Sequence, residues 1–323
     1  MVLGQNSDVY TCGAFENTAD FDPGTGTFNL TSAGSRDGFI SKLDSNGNFV
    51  WGIQITGPSE VRVAEIALDA AGDIYSVGIF YQTTDFDPGP GVSNLTAVGN
   101  GDAFVAKYSS TGNLIWAKHI IQVGTGNLNQ WAKSIDVDID GNLCISGDFS
   151  GTADFDPGIG SFNMTSLGDE DLFVLKLDAL GNFIWAKQMG GTGRNFATSI
   201  RTDSKGNVYS TGSFQLTVDF DPGAGTSNIT SLAYGDAFIS KLDSAGNFVY
   251  GYGFGASPGG GENGNELALD QYDNLYMTGD LLGNVDFDPG PGVFTLVSQG
   301  AFILKLDSVG NFLWAKGLNS CAT

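Results

Sequence analysis

The sequence predicts an all-β chain, a five-bladed β-propeller of four-stranded antiparallel blades, and three observations point to it. The string Asp-Phe-Asp-Pro-Gly begins at Asp20, Asp85, Asp154, Asp219 and Asp286, so the chain repeats at steps of 65, 69, 65 and 67 residues. Within each step, runs rich in Val, Ile, Phe and Tyr are cut by Gly and Asn at intervals too short for a helix to develop. One aromatic returns at a fixed place in the last run of each unit, at Trp51, Trp116, Trp185, Tyr250 and Trp314.

The fourth unit shows the order of elements best. A first run around Ser199-Ile200 leads to the turn Asp203 to Asn207 and a second run through Tyr209 to Gly212. The Asp-Phe-Asp-Pro-Gly segment follows, then a third run from Asp236 to Asp243 and a fourth from Gly246 to Tyr250. The Asp-x-x-Gly-Asn turns recur before second strands (Asp138 to Asn142) and between third and fourth strands (Asp44 to Asn48, Asp178 to Asn182, Asp307 to Asn311). In each, the Asp side chain can accept turn N–H groups while Gly takes positive φ, which makes a hairpin corner. The fourth-strand aromatic can wedge between neighbouring sheets, and sheets covered on both faces lose strict alternation, as in Phe39-Ile-Ser-Lys-Leu43.

These repeats divide the chain, as one domain, into blades at approximately 1–56, 57–122, 123–190, 191–255 and 256–323. Aligning Tyr10 with Tyr209 sets Met1 opposite Ile200, so the first strand of blade 1 is expected to be truncated to Met1, Val2 and Leu3. That expectation fits a piece of a longer chain, and a ring closed by packing between blades 5 and 1.

Composition narrows the function. With Lys+Arg 14 against Asp+Glu 36 the formal net charge is -22, which repels a phosphate backbone and disfavours nucleic acid as a partner. No apolar run reaches the length of a membrane span, and Met1 is not followed by a signal-peptide pattern. Cys12, Cys144 and Cys321 are an odd number without a Cys-x-x-Cys pair, against a zinc site or a dense disulfide framework.

The segments Ser199 to Gly212, Asp102 to Lys107 and Gly181 to Trp185 resemble the SBBP β-propeller repeat, and the resemblance covers nearly the whole chain. Lys176-Leu177-Asp178 to Trp185 is similar, more distantly, to the tryptophan-docking repeat of quinoprotein dehydrogenases. The SBBP resemblance implies a bacterial protein, secreted or on the cell surface, present as a monomer or as part of a longer chain. Cofactor-dependent quinoprotein activity is not expected, because such rings usually have eight blades and a vicinal cysteine pair. The Asp-x-x-Gly-Asn-Phe-x-Trp turn resembles the sialidase Asp box with one residue too many, and that box is structural.

In a propeller of the usual strand order, the long second-to-third and blade-to-blade connections share one face, here carrying the Asp-Phe-Asp-Pro-Gly segments and the Gly-rich stretches Gly190 to Gly193 and Pro258 to Gly261. The ten carboxylates of Asp20, Asp22, Asp85, Asp87, Asp154, Asp156, Asp219, Asp221, Asp286 and Asp288 are candidate Ca²⁺ ligands, since each pair alternates with a Phe and points one way. The competing expectation is a structural corner, with Phe in the core, Asp capping the turn and Pro fixing φ; Pro-Gly also follows where calcium loops carry a further oxygen.

Five lysines in register, Lys42, Lys107, Lys176, Lys241 and Lys305, together with Lys118, Lys187 and Lys316, are expected to pair with acids such as Asp102, Asp171 or Asp236. His119 is the only histidine, which excludes multi-histidine metal sites and paired histidine catalysis. Arg36, Arg62, Arg194 and Arg201 are too scattered for sialidase chemistry. The Asn-x-Thr tripeptides at Asn29, Asn94, Asn163 and Asn228 match the N-glycosylation pattern but are expected to be a repeated turn-and-strand element.

The function expected is a non-catalytic binding or scaffold propeller that takes a protein or polysaccharide on the Asp-Phe-Asp-Pro-Gly face. A polysaccharide hydrolase or lyase using carboxylates in the central depression, and a structural spacer in a longer surface protein, are the alternatives.

Overall fold

The computed structural model describes residues 1–123, 130–232, 234–256 and 260–319. Cys321 and part of the stretch Pro258 to Gly261 lie outside them. Among the described residues all regular structure is β, in antiparallel sheets, and no helix is long and apolar enough to cross a membrane.

The chain forms two compact units: residues Met1–Val137, Gly151–Met164 and Leu177–Phe183, and residues Asp138–Ser150, Thr165–Lys176 and Ile184–Thr323. The first unit contains two four-stranded meanders. One runs Val2–Leu3, Val9–Phe15, Asp37–Leu43, Phe49–Ile55, and the other Val61–Leu68, Ile74–Phe80, Asp102–Tyr108, Leu114–Val123. The second unit contains Asn195–Thr202, Val208–Phe214, Asp236–Leu242, Phe248–Phe254, and then Asn263–Leu269, Leu275–Asp286, Thr295–Leu306, Phe312–Asn319. The third repeat contributes Gln130–Val137 to the first unit and Leu143–Phe149 to the second. The opening strand of the first meander is two residues, with Val2 opposite Tyr10 and Leu3 opposite Val9.

Tight Asp-initiated turns set the meander. In the turn at Asp44, Oδ1 accepts the N–H groups of Asn46 at 2.8 Å and Asn48 at 2.9 Å, while Oδ2 accepts Asn48 Nδ2 at 2.9 Å. The same bonds recur at Asp138, Asp178, Asp203, Asp243, Asp270 and Asp307. Two backbone N–H groups that a sharp reversal leaves unpaired are thus satisfied locally by one carboxylate.

Register then fixes the core. Tyr10, Lys42 and Trp51 stand side by side across three strands, as do Tyr75, Lys107 and Trp116; Tyr209, Lys241 and Tyr250; and Tyr276, Lys305 and Trp314. Each lysine ammonium lies over the tyrosine ring, at 5.0, 4.7, 4.6 and 4.5 Å from the centroid. Each also reaches the acid at the turn or loop before the second strand: Lys42 to Asp8 at 2.9 Å, Lys107 to Asp69 at 3.0 Å, Lys241 to Asp203 at 3.5 Å and Lys305 to Asp270 at 3.1 Å. In the third repeat Lys176 meets Asp138 at 2.7 Å, with Cys144 at the tyrosine position. This corrects the pairing expected from sequence. Asp102, Asp171 and Asp236 open the third strand five residues before the lysine and lie at its far end, out of an ammonium's reach.

The fourth-strand aromatic joins neighbouring repeats. Trp51 packs on Gly112, Trp116 on Gly181, Trp185 on Gly246 and Tyr250 on Gly310, where an added Cβ would lie 3.6, 3.0, 3.1 and 2.9 Å from the ring. Those glycines hold φ of 83°, 73°, 82° and 94°, a backbone glycine favours, and at the last three the ring also crowds an added Cβ. Lysines of one repeat also donate to the next turn's carbonyls, Lys176 to Ser244 at 3.2 Å and Lys241 to Ser308 at 2.9 Å.

Replacing Lys176 by Met is expected to cost roughly 3–5 kcal/mol, because it strands the buried Asp138 carboxylate. Lys42→Met should cost less in urea unfolding, since the Lys42–Asp8 pair keeps 15% and 19% exposure against 4% and 0% for Lys176–Asp138.

The turns also set acid stability. Burial opposes ionisation of Asp138 and Asp203, but hydrogen bonds, from Lys176 at Asp138 and from Asn207 at Asp203, outweigh it and hold both carboxyls below the ordinary 3.8. A lowered folded pKa gives stability that is present above 3.8 and is lost as pH falls below it. Acid titration followed by circular dichroism is therefore expected to show unfolding below that value, at higher pH in Asn142→Ala and Asn207→Ala variants.

Candidate functional site

The Asp-Phe-Asp-Pro-Gly segment folds into a small hairpin of its own rather than an open loop. Thr18–Asp20 pairs with Asn29–Thr31, Thr83–Asp85 with Asn94–Thr96, and Thr217–Asp219 with Asn228–Thr230. In the last repeat the hairpin is continuous with the long strands, Asp286 lying opposite Thr295. The Asn-x-Thr tripeptides are its return strands. Their threonines bond across it, Thr18 to Thr31 and Thr83 to Thr96 at 2.9 Å and Thr217 to Thr230 at 2.8 Å, which accounts for the recurrence without a glycan.

Every candidate calcium ligand is placed at the corner of such a hairpin. The Oδ1 atoms of Asp20, Asp85, Asp154, Asp219 and Asp286 each accept two backbone N–H groups, as in Asp219 with Asp221 at 3.0 Å and Ser227 at 2.8 Å. The Oδ1 atoms of Asp22, Asp87, Asp156, Asp221 and Asp288 each accept the glycine N–H two residues on, at 2.8 Å. Their Oδ2 atoms fill the space where a Cβ on the second glycine would stand, 2.1 Å away at Gly26, Gly160 and Gly225 and 2.2 Å at Gly91 and Gly292. That second glycine is a requirement the sequence reading missed.

Between each pair of aspartates the phenylalanine turns inward. Phe86, Phe155, Phe220 and Phe287 are fully buried, and Phe86 meets Phe104 at 5.0 Å, Phe220 meets Phe238 at 5.2 Å and Phe287 meets Phe302 at 4.6 Å. Among the described residues, no three His, Cys, Asp or Glu side chains converge closely enough to hold a metal ion. One oxygen of every aspartate in these corners is used to seat the hairpin.

The hairpin also binds the preceding repeat. Asp85 pairs with Thr56, Asp154 with Ile121 and Asp219 with Gly190, at the end of the previous fourth strand. This junction leaves a groove. In the first unit it has a volume of about 360 Å³ between Phe28, Leu30 and Gln54 on one side and Asp85, Asp87 and Pro88 on the other. Its equivalent in the second unit, about 320 Å³, lies between Ile229, Leu232, Asp236 and Gly253 on one side and Asp286 and Asp288 on the other. An apolar wall facing paired carboxylates can accept hydroxyl or cationic groups while burying an aliphatic or ring surface.

Near these junctions sit the aspartates that open each third strand, of which Asp236 lines the second-unit groove. Asp37 accepts Gln54 Nε2 at 2.5 Å and Asp171 accepts Gln188 Nε2 at 2.6 Å. His119 occupies the same position, with Nδ1 3.5 Å from Asp102 and its ring 5.7 Å from Phe80. It thus stands where Gln54 and Gln188 stand, close to the aspartate but without their hydrogen bond, an equivalence legible only by aligning the repeats. The four arginines each meet a glutamate: Arg36 with Glu16 and Glu60, Arg62 with Glu60, Arg194 with Glu170, and Arg201 with Glu266. Cys12 and Cys144 form no disulfide, and burial pushes the Cys12 thiol up to about 11.

No protein-family profile matches the chain, so the SBBP resemblance rests on the quoted motifs. It is 28% identical over 210 residues to an uncharacterized WD repeat-containing protein, L264, of Acanthamoeba polyphaga mimivirus, covering 57% of this chain and 15% of that protein. It is 26% identical over 239 residues to the regulatory protein FlaEY of Caulobacter vibrioides, covering 73% of this chain and 22% of that protein. The chain thus spans under a quarter of the length of these relatives. Among solved structures, a europium-containing methanol dehydrogenase aligns at 12% identity and a TM-score of 0.36, over 88% of this chain and 59% of that one. The chain is a repeat protein.

Phe220→Ala is expected to cost about 3–5 kcal/mol, and Asp219→Ala about 1–3 kcal/mol through two orphaned amides. Because the hairpin engages the Oδ1 atom of each aspartate, exchanging a chelator for millimolar Ca²⁺ should leave the melting temperature unchanged in calorimetry; a rise would support a calcium site there.

Proposed function

We propose that the five repeats are the blades of a β-propeller and that the protein is a non-catalytic binding scaffold, taking a protein or polysaccharide along the Asp-Phe-Asp-Pro-Gly hairpins. The observation that carries this reading is the recurrence of one groove, with an apolar wall and an aspartate pair, at equivalent junctions in both units. Repetition of a shallow site suits an extended or multivalent partner. Hairpin tips add exposed apolar side chains, Val92, Ile159 and Val293, which serve no core. A secreted or surface setting in a bacterium is part of the same proposal, drawn from the SBBP resemblance.

Hydrolysis by a carboxylate pair is the weaker reading. It needs one acid of raised pKa open to substrate. Among the described residues the carboxyl that is raised is Glu262, which is 1% exposed and does not line the groove.

Binding is tested on a glycan array and by affinity capture from a native extract, with the wild type beside a Val92→Ser/Ile159→Ser/Val293→Ser variant. The expected result is one reproducible ligand class, lost in the variant at unchanged melting temperature. Uniformly negative arrays and captures would leave the spacer reading in its place, and binding indifferent to the tips would move the site away from the hairpins.

A further inference from the structure

Four junctions between consecutive repeats are built on one plan. The residue at the head of each new first strand, or in the last case just before it, donates its N–H to the carbonyl just before a buried aspartate: Val61 to Arg36 at 2.9 Å, Gln130 to Gly101 at 3.2 Å, Asn195 to Glu170 at 3.0 Å and Glu262 to Gly235 at 3.1 Å. The aspartates that follow, Asp37, Asp102, Asp171 and Asp236, are at most 3% exposed, and the four facing residues at most 1%.

The chemistry at this station differs in one respect. Val61 is apolar, and Gln130 and Asn195 are amides that can donate to a carboxylate; Asn195 Nδ2 does so to Asp171 at 3.3 Å. Glu262 stands in the same place and can donate only when protonated. Asp236, on the third strand of the preceding repeat, stands toward Glu262 as Asp171 stands toward Asn195, and its charge acts on the Glu262 carboxyl. Its other polar contacts are backbone N–H groups, including Ala256 to Oε2 at 3.3 Å. Two buried carboxylates in this position cannot both ionise without strong repulsion.

We propose that Glu262 is a protonation latch: as the neutral acid it closes the junction between the fourth and fifth repeats against Asp236, and on ionising it loosens that junction. Burial raises the Glu262 carboxyl, the Ala256 amide lowers it, and the Asp236 charge raises it again, with a net upward shift from 4.5. A raised folded pKa means the contribution is full below 4.5 and is lost as pH rises through the folded value, opposite to the turn aspartates. The latch lies directly behind the second-unit groove, because Gly253 leaves Asp236 on the groove wall where Gln54, His119 and Gln188 shield its counterparts. It is independent of whether that groove binds a ligand.

Thermal unfolding from about pH 4 to about pH 8 tests it, with Glu262→Gln, Asn195→Asp and, as a control for net charge, the exposed Asp169→Asn. Glu262→Gln, a neutral mimic of the protonated acid, should melt about 2–4 °C above wild type at the alkaline end and converge with it at the acid end. Asn195→Asp should install the same alkaline loss at the preceding junction, and Asp169→Asn should run parallel to wild type. The latch is overturned if Glu262→Gln parallels wild type at every pH, or if Asp169→Asn reproduces its gain. Should Glu262→Gln fail to fold, an Asn195→Asp curve without a new alkaline slope overturns it alone.

Discussion

The fold depends on the approach of one aromatic ring to one glycine across each repeat junction. Trp51, Trp116, Trp185 and Tyr250 lie against Gly112, Gly181, Gly246 and Gly310, where the turn takes a left-handed backbone and, at Gly181, Gly246 and Gly310, the ring crowds any added Cβ. Once the ring is seated, register carries its position inward. The lysine beside it is drawn over the tyrosine, and the ammonium comes within reach of the turn carboxylate that precedes the second strand. One contact therefore orders a sheet, its cation and its neighbour together.

The strong acidity of the chain takes on a different meaning in this frame. Aspartates at the reversals and at the hairpin corners are acceptors for backbone N–H groups, each of which would otherwise be left unpaired at a bend. A net charge of -22 reflects in part the number of sharp bends that five repeats contain, and is not by itself a sign of a cation-binding surface. The grooves at the repeat junctions are lined by a few of these same carboxylates, among them Asp85, Asp87, Asp286 and Asp288.

Much of the fold was legible because its determinants are local. The Asp-x-x-Gly-Asn corners and the inward Phe of each hairpin follow from turn chemistry and alternation within a few residues. The lysine partners were not legible: Asp102 is near Lys107 in sequence, yet Asp69 meets it from the turn before the neighbouring strand, and only register reveals that. The grooves were invisible for the same reason, since each takes its walls from two repeats. Glu262 and His119 became interpretable only when the strands supplied an alignment in which they stand opposite Asn195 and opposite Gln54 and Gln188.

The pairing of each hairpin with the strand before it has a consequence for how such a chain could be cut or duplicated. A segment ending at the last strand of one repeat would lose the main-chain partner that Asp85, Asp154 or Asp219 supplies from the following repeat, and would expose a bare sheet edge. The period of the sequence and the boundary of a self-sufficient fragment are thus out of phase by most of a hairpin. An excised module would have to carry its successor's Asp-Phe-Asp-Pro-Gly arm to remain soluble.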